Sequence, residues 1–133
     1  MLENPSAANG MAVYVAECAD QIIGFASCGS QRTESLSISG YDGEITSIYL
    51  LCAHQRQGIG KALFCAMTKE LLQRGYRGVA LWVLRDNVQA RGFYDWCQGR
   101  IVADREDVRG ETVLIEVAYA WPDLVSLNQR VSE

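Results

Sequence analysis

Between residues 44 and 84 the hydrophobic period changes twice, and nothing else in the chain constrains its fold as strongly. EITSIYLLC (44–52) is rich in β-branched and apolar residues and predicts a strand. Alternation then puts Ile45, Ser47, Tyr49 and Leu51 on one face and Glu44, Thr46, Ile48 and Leu50 on the other. From Ile59 the spacing turns helical, with Ile59, Ala62, Leu63, Ala66, Met67 and Leu71 at i, i+3, i+4 positions, and a stop is expected near Gly75 with Arg74 in the last turn. VALWVL (79–84) returns to a buried strand. Strand, helix, strand is a βαβ unit, so these two strands should run parallel, or nearly so, with a right-handed crossover.

Around this unit the rest of the chain reads as strand-rich. AVYVAEC (12–18) and IIGFASC (22–28) form a hairpin, and residues 29–43, rich in Gly, Ser and Thr, read as a long loop. Asn87 stands where a helix N-cap belongs, ahead of a short helix over 88–97. Residues 99–104 and 112–119 read as two closing strands joined by a charged turn at 106–110. With 133 residues, 49% of them apolar, one domain spanning 1–133 is expected.

Several function classes are excluded. Five cysteines with a smallest spacing of ten residues, and a single histidine, His54, provide no close pair for a structural zinc. The odd count fits reduced thiols packed as small core residues. Apolar runs such as Val79–Leu84 reach six residues, far below the roughly 20 of a membrane span. No signal peptide is legible at the N-terminus, so a cytoplasmic protein is expected.

The net charge of −4 hides a partition: −5 over 1–53, +5 over 54–100 and −4 over 101–133. The basic block opens at a glycine-containing stretch, HQRQGIGKALF (54–64), and suggests an anionic ligand in the middle of the chain and a cationic one near the flanks. A chain with pI near 5.0 argues against nucleic acid as the partner.

Residues 54–64 join a strand to a helix start, where unpaired backbone N–H groups and a partial positive charge attract anions. The stretch is not a Walker loop: Ala62 follows Gly60-Lys61 where Ser or Thr is needed, and position 55 is Gln instead of Gly. It is not a dinucleotide fingerprint, because Leu63 stands three residues after Gly60.

Gln55-Arg56-Gln57-Gly58-Ile59-Gly60 instead resembles the Q/R-x-x-G-x-G/A signature of the GNAT N-acetyltransferase family. GEITSIYLL resembles that family's fourth strand, and Asn87 to Tyr94 resembles its N-x-x-A-x-x-F-Y segment, about 30 residues after the glycines. The resemblance covers about 12–119. It implies an α/β sandwich with a mixed, mostly antiparallel sheet, splayed central parallel strands and flanking helices. It also implies acetyl-CoA as co-substrate, with no metal. The coenzyme's pyrophosphate is expected on the backbone around Gln55, Arg56, Gln57, Gly58, Ile59, Gly60 and Lys61, with Arg56 and Lys61 adding charge. Its pantetheine arm is expected on the backbone of Leu50 and Leu51 and on Asn87.

Transfer of an acetyl group to a primary amine needs the ammonium to lose a proton and the departing thiolate to gain one. By the resemblance, Glu44 is the candidate general base, acting through a water, and Tyr94 the candidate general acid. Cys52, where the family often has proline, and His54 are assigned no chemistry. Family members usually carry a strand and two helices ahead of the hairpin, whereas eleven residues precede Ala12, and MLENPSAANGM reads like the tail of the second helix and its exit loop. A homodimer is expected to complete the acceptor wall. The acceptor is expected to be a cationic small-molecule or peptide amine. The alternative is a non-catalytic module that binds CoA or a protein on a degenerate GNAT scaffold.

Overall fold

The computed structural model describes residues 11–50 and 58–132 and the backbone of 6–8. Among them are seven strands, β1 (Ser6–Ala8), β2 (Met11–Cys18), β3 (Gln21–Ser30), β4 (Gly43–Leu50), β5 (Val79–Leu84), β6 (Arg100–Arg109) and β7 (Thr112–Trp121). The helices are α1 (Glu34–Ile38), α2 (Ile59–Gln73), α3 (Val88–Trp96) and α4 (Leu124–Val131). One sheet holds all strands in the order β1-β2-β3-β4-β5-β7-β6. Every neighbouring pair is antiparallel except β4 and β5, which run parallel as the βαβ pattern requires.

The main core lies between one face of this sheet and α2. Leu63, Phe64, Met67 and Leu71 of α2 are sealed from solvent, each contributing about 1.5–3 kcal/mol through burial. The buried stripe is shifted from the expected one: Ala62 faces solvent and Thr68 faces inward. Thr68 donates to the Cys65 carbonyl at 2.9 Å and accepts from Asn128 Nδ2 at 2.8 Å. The buried hydroxyl is thus satisfied, and it fastens α4, a helix not anticipated from sequence, to α2. On the opposite sheet face Leu36 of α1 packs with Ala80, Ala118 and Ala120.

Five further expectations are corrected. The segment 29–43 is not all loop, because it contains α1. The charged stretch 106–109 continues β6, whose partners run to Arg109↔Thr112, so the turn shrinks to Gly110 and Glu111. Charged residues are tolerated there because β6 is an edge strand with mostly exposed side chains. Near the N-terminus, Ser6–Ala8 is an edge strand on β2 and not the end of a helix. Cys18 is exposed, unlike the buried Cys28 and Cys97.

The fifth correction lies in β4 and matters most. Ser27 pairs with Ser47, but Cys28 pairs with Ile45, so Thr46 is an extra residue. This bulge breaks the strict alternation expected for 44–52. Ile45 and Ile48, assigned to opposite faces by period 2, both pack on the main core. Phe25 and Tyr49 stack at 5.7 Å, exposed.

Candidate active site

The two parallel strands are fastened at one end and open at the other. Asp42 Oδ1 accepts from the amides of Gly78 and Arg77 at 2.9 and 3.1 Å, and Gly43 N–H donates to the Gly78 carbonyl at 2.9 Å. The Gln31 side-chain amide bridges both strands, donating to the carbonyls of Gly43 at 3.0 Å and Ala80 at 3.4 Å. Among the described residues pairing then stops, with Gly43↔Val79 and Glu44↔Ala80 the only parallel partners. Beyond them the described residues of the two strands do not pair, and a cleft of about 350 Å³ opens beside β4.

Ile48 and Leu50 of β4, Gly58, Gly60 and Lys61 at the start of α2, and Asn87, Phe93 and Tyr94 on the α3 side are among its lining residues. Gly58 caps α2 with φ +78°, a left-handed conformation that glycine adopts without strain. It has no side chain to satisfy the helix start. Ala62 N–H donates to the Gly58 carbonyl, and the amides of Ile59, Gly60 and Lys61 precede that bond in the first turn of α2. A Cβ added to Gly60 would meet nothing within 4 Å. Its absence therefore serves no contact among the described residues and keeps the backbone open to the cleft. Ile59 sends its side chain into the core.

Asn87 accepts from Ala90 N–H at 3.2 Å, the N-cap bond expected for it, while also lining the cleft. Tyr94 projects from the other end of α3 into an aromatic cluster with Phe64, Phe93, Tyr119 and Trp121. Burial pushes its phenol pKa far up, with Cys97 adding to the rise. No described side-chain oxygen that is sealed from solvent lacks a hydrogen-bond partner, and the Tyr94 hydroxyl has none among the described residues. Tyr94 is at the same time one of the residues that line the cleft.

Glu44 is placed differently. It is the last β4 residue paired with β5, at the apex of the opening, and 2% exposed. Successive strand side chains alternate, so with Ile45 in the main core Glu44 projects to the opposite face. There Arg32 Nε donates to Oε1 at 3.0 Å and an Arg32 terminal nitrogen donates to Oε2 at 3.1 Å. Glu44 is not among the residues lining the cleft.

The structure thus brings Leu50, Gly58, Gly60, Lys61, Asn87 and Tyr94 to one cleft and sets Glu44 at its closed end. Leu51, Gln55, Arg56 and Gln57, with Cys52 and His54, lie outside the described residues. Sequence reasoning missed Gln31 and Asp42, which hold the closed end, and Phe93 and Ile48 in the lining. Phe93 stands in the quoted 87–94 segment; Gln31 and Asp42 carry no local signal, since their partners lie up to 49 residues away. Among the described residues no group of His, Cys, Asp and Glu is arranged to hold a metal, and no helix is long and apolar enough to cross a membrane.

A mostly antiparallel sheet with one parallel strand pair, and a glycine-opened helix start beside it, defines the acetyltransferase fold of the GNAT type. Residues 2–99 match the model of the Acetyltransferase (GNAT) family, and the chain belongs to that family. It is 39% identical over 107 residues to the uncharacterized N-acetyltransferase YuaI of Bacillus subtilis (strain 168), a match covering 80% of this chain and 60% of that protein. The chain therefore spans less than two-thirds of that relative's length.

Two solved structures share the fold. One is Arabidopsis thaliana NAA60 in complex with a bisubstrate analogue, with a TM-score of 0.71 at 19% identity, covering 84% of this chain and 75% of that one. The other is a GNAT family acetyltransferase from Elizabethkingia anophelis with acetyl-CoA bound, with a TM-score of 0.66 at 15% identity, covering 84% and 76% respectively.

Proposed function

We propose that the chain is an acetyl-CoA-dependent N-acetyltransferase that moves the acetyl group to a primary amine by direct attack. The observation that carries this reading is the cleft lined by β4, the start of α2 and α3, which brings a glycine-opened helix start and Tyr94 together. Family membership, and a neighbour of the same fold with acetyl-CoA bound, support the same co-substrate.

The amides of residues 59–61, with Gly58 and Gly60 leaving room for close approach, suit a pyrophosphate. An extended amide-bearing arm would run along the part of β4 where Ile48 and Leu50 line the cleft. The amine nitrogen bonds the carbonyl carbon as the carbon–sulfur bond breaks. The sulfur takes its proton from the Tyr94 hydroxyl, whose raised pKa keeps it protonated at neutral pH.

Glu44 is proposed as the group that receives the amine's proton. Arg32 donors occupy three of a carboxylate's four or so lone-pair sites, which leaves room for one water as relay. The acceptor then comes from the sheet face opposite α2. Thiol release from acetyl-CoA in the presence of an amine panel tests the reading. Turnover abolished by neither Glu44→Gln nor Tyr94→Phe would sink the assigned roles, and no coenzyme binding would sink the reading itself.

A further inference from the structure

Trp96, at the end of α3, carries two cations. The Arg130 guanidinium lies 4.4 Å from its ring centroid and Lys61 Nζ lies 5.2 Å from it. The two charges come from α2 and α4, sequence-distant helices that meet at this indole. Arg130 is fixed further by Nε donating to the Trp96 carbonyl at 2.7 Å. Among the described residues no carboxylate pairs with Arg130. The terminal nitrogens of its guanidinium therefore remain as donors.

This cluster adjoins the cleft. Lys61 lines it, and Phe93, another lining residue, stacks on Trp96 at 6.1 Å. The fields of the two cations also reach a common point. Burial pushes the Cys97 thiol up to about 11, and Arg130 and then Lys61 pull against that rise. Two cations held beside one ring, with guanidinium donors of Arg130 still to place, suit a multiply charged anion.

We propose that Arg130 and Lys61, positioned by Trp96, form a subsite for the phosphate monoester on the coenzyme's ribose, so that the protein selects coenzyme A over dephospho-coenzyme A. The proposal rests on the acetyl-CoA reading above and adds a specificity determinant to it. Arg130 lies beyond residues 2–99, the part matched by the family model. The α2 start suits the pyrophosphate common to both compounds, whereas the Trp96 cluster is matched to the group that distinguishes them.

The test is calorimetric titration of the full chain with coenzyme A and with dephospho-coenzyme A. The unsubstituted protein should prefer coenzyme A by about tenfold or more, as one charge-assisted pair allows. Arg130→Gln should lose most of that preference while keeping its affinity for dephospho-coenzyme A. Arg109→Gln, which removes the same charge at the β6–β7 turn, should keep the preference. Lys61→Gln gives an independent reading of the same ratio. Equal binding of the two compounds by the unsubstituted protein, or an unchanged ratio in both Arg130→Gln and Lys61→Gln, would overturn the subsite. Binding of neither compound would instead remove the acetyl-CoA reading, and the subsite with it.

Discussion

Arg32 closes on Glu44 with three hydrogen bonds: its amide and Nε both reach Oε1 at 3.0 Å, and a terminal nitrogen reaches Oε2 at 3.1 Å. The pair is unequal, because the Arg32 side chain is 67% exposed and that of Glu44 only 3%. Removing the exposed partner strands a buried carboxylate; removing the buried one releases a cation that already reaches water. Arg32→Ala should therefore destabilise more than Glu44→Gln, by about 2 kcal/mol against about 1 kcal/mol, below fully buried pairs because solvent screens Arg32. Urea denaturation of both variants measures this, and the reverse order would refute it.

Gly60→Ala separates folding from coenzyme binding. The new methyl meets no atom within 4 Å, and alanine favours a helix over glycine, so stability should hold or rise by up to about 1 kcal/mol. Affinity for acetyl-CoA should nevertheless fall about tenfold or more, since the methyl occupies the space through which a phosphate approaches the α2 amides. A thermal-shift titration reads both quantities in one experiment. Unchanged affinity would place the phosphate elsewhere.

Tyr94→Phe removes one oxygen that has no hydrogen-bond partner among the described residues. The melting temperature should change little. If the hydroxyl protonates the leaving sulfur, kcat should drop roughly 100-fold with KM for acetyl-CoA nearly constant. Steady-state kinetics decide the point, and a variant of full activity would leave the tyrosine a packing residue.

High pH should unfold the protein through its buried thiols. Burial pushes Cys28 from an ordinary value of 9.0 up to about 11, and Cys97 likewise to about 11. The folded state thus holds these protons more tightly than the unfolded chain. Their contribution to stability is complete below pH 9 and is lost as pH rises from 9 to 11. Each thiol accounts for a loss on the order of 2 kcal/mol. Melting temperature followed across that window should fall, and Cys28→Ala should flatten the slope even where its reduced volume lowers stability overall.

Much of the frame is written locally. The switch from period 2 to helical spacing at Ile59, and back at Val79, predicted α2 and β5, because each is long or strongly apolar. The Asn87 cap is legible for a similar reason, since its partner Ala90 lies three residues away. By contrast, α1 spans five residues and rests on Leu36 packing against strands β5 and β7. The β6 extension has a charged sequence that reads as a turn until β7 pairs with it. In α4 only Leu124, Leu127 and Val131 are buried, a stripe too thin to stand out without α2 beside it.

The chain by itself determined its family and the cleft-forming unit, because periodicity, a glycine-opened helix and an N-cap are short-range properties. Tertiary structure alone decided how that unit is set. The Thr46 bulge arises from registry against β3 and reverses which β4 side chains reach the core. Gln31 and Asp42 fasten the end at which β4 and β5 pair, through bonds to residues far along the chain. Arg32 decides the surroundings of Glu44, and Arg130 those of Trp96. Each of these depends on a contact between residues distant in sequence, whose loop-closure entropy and geometry exist only once the sheet has assembled.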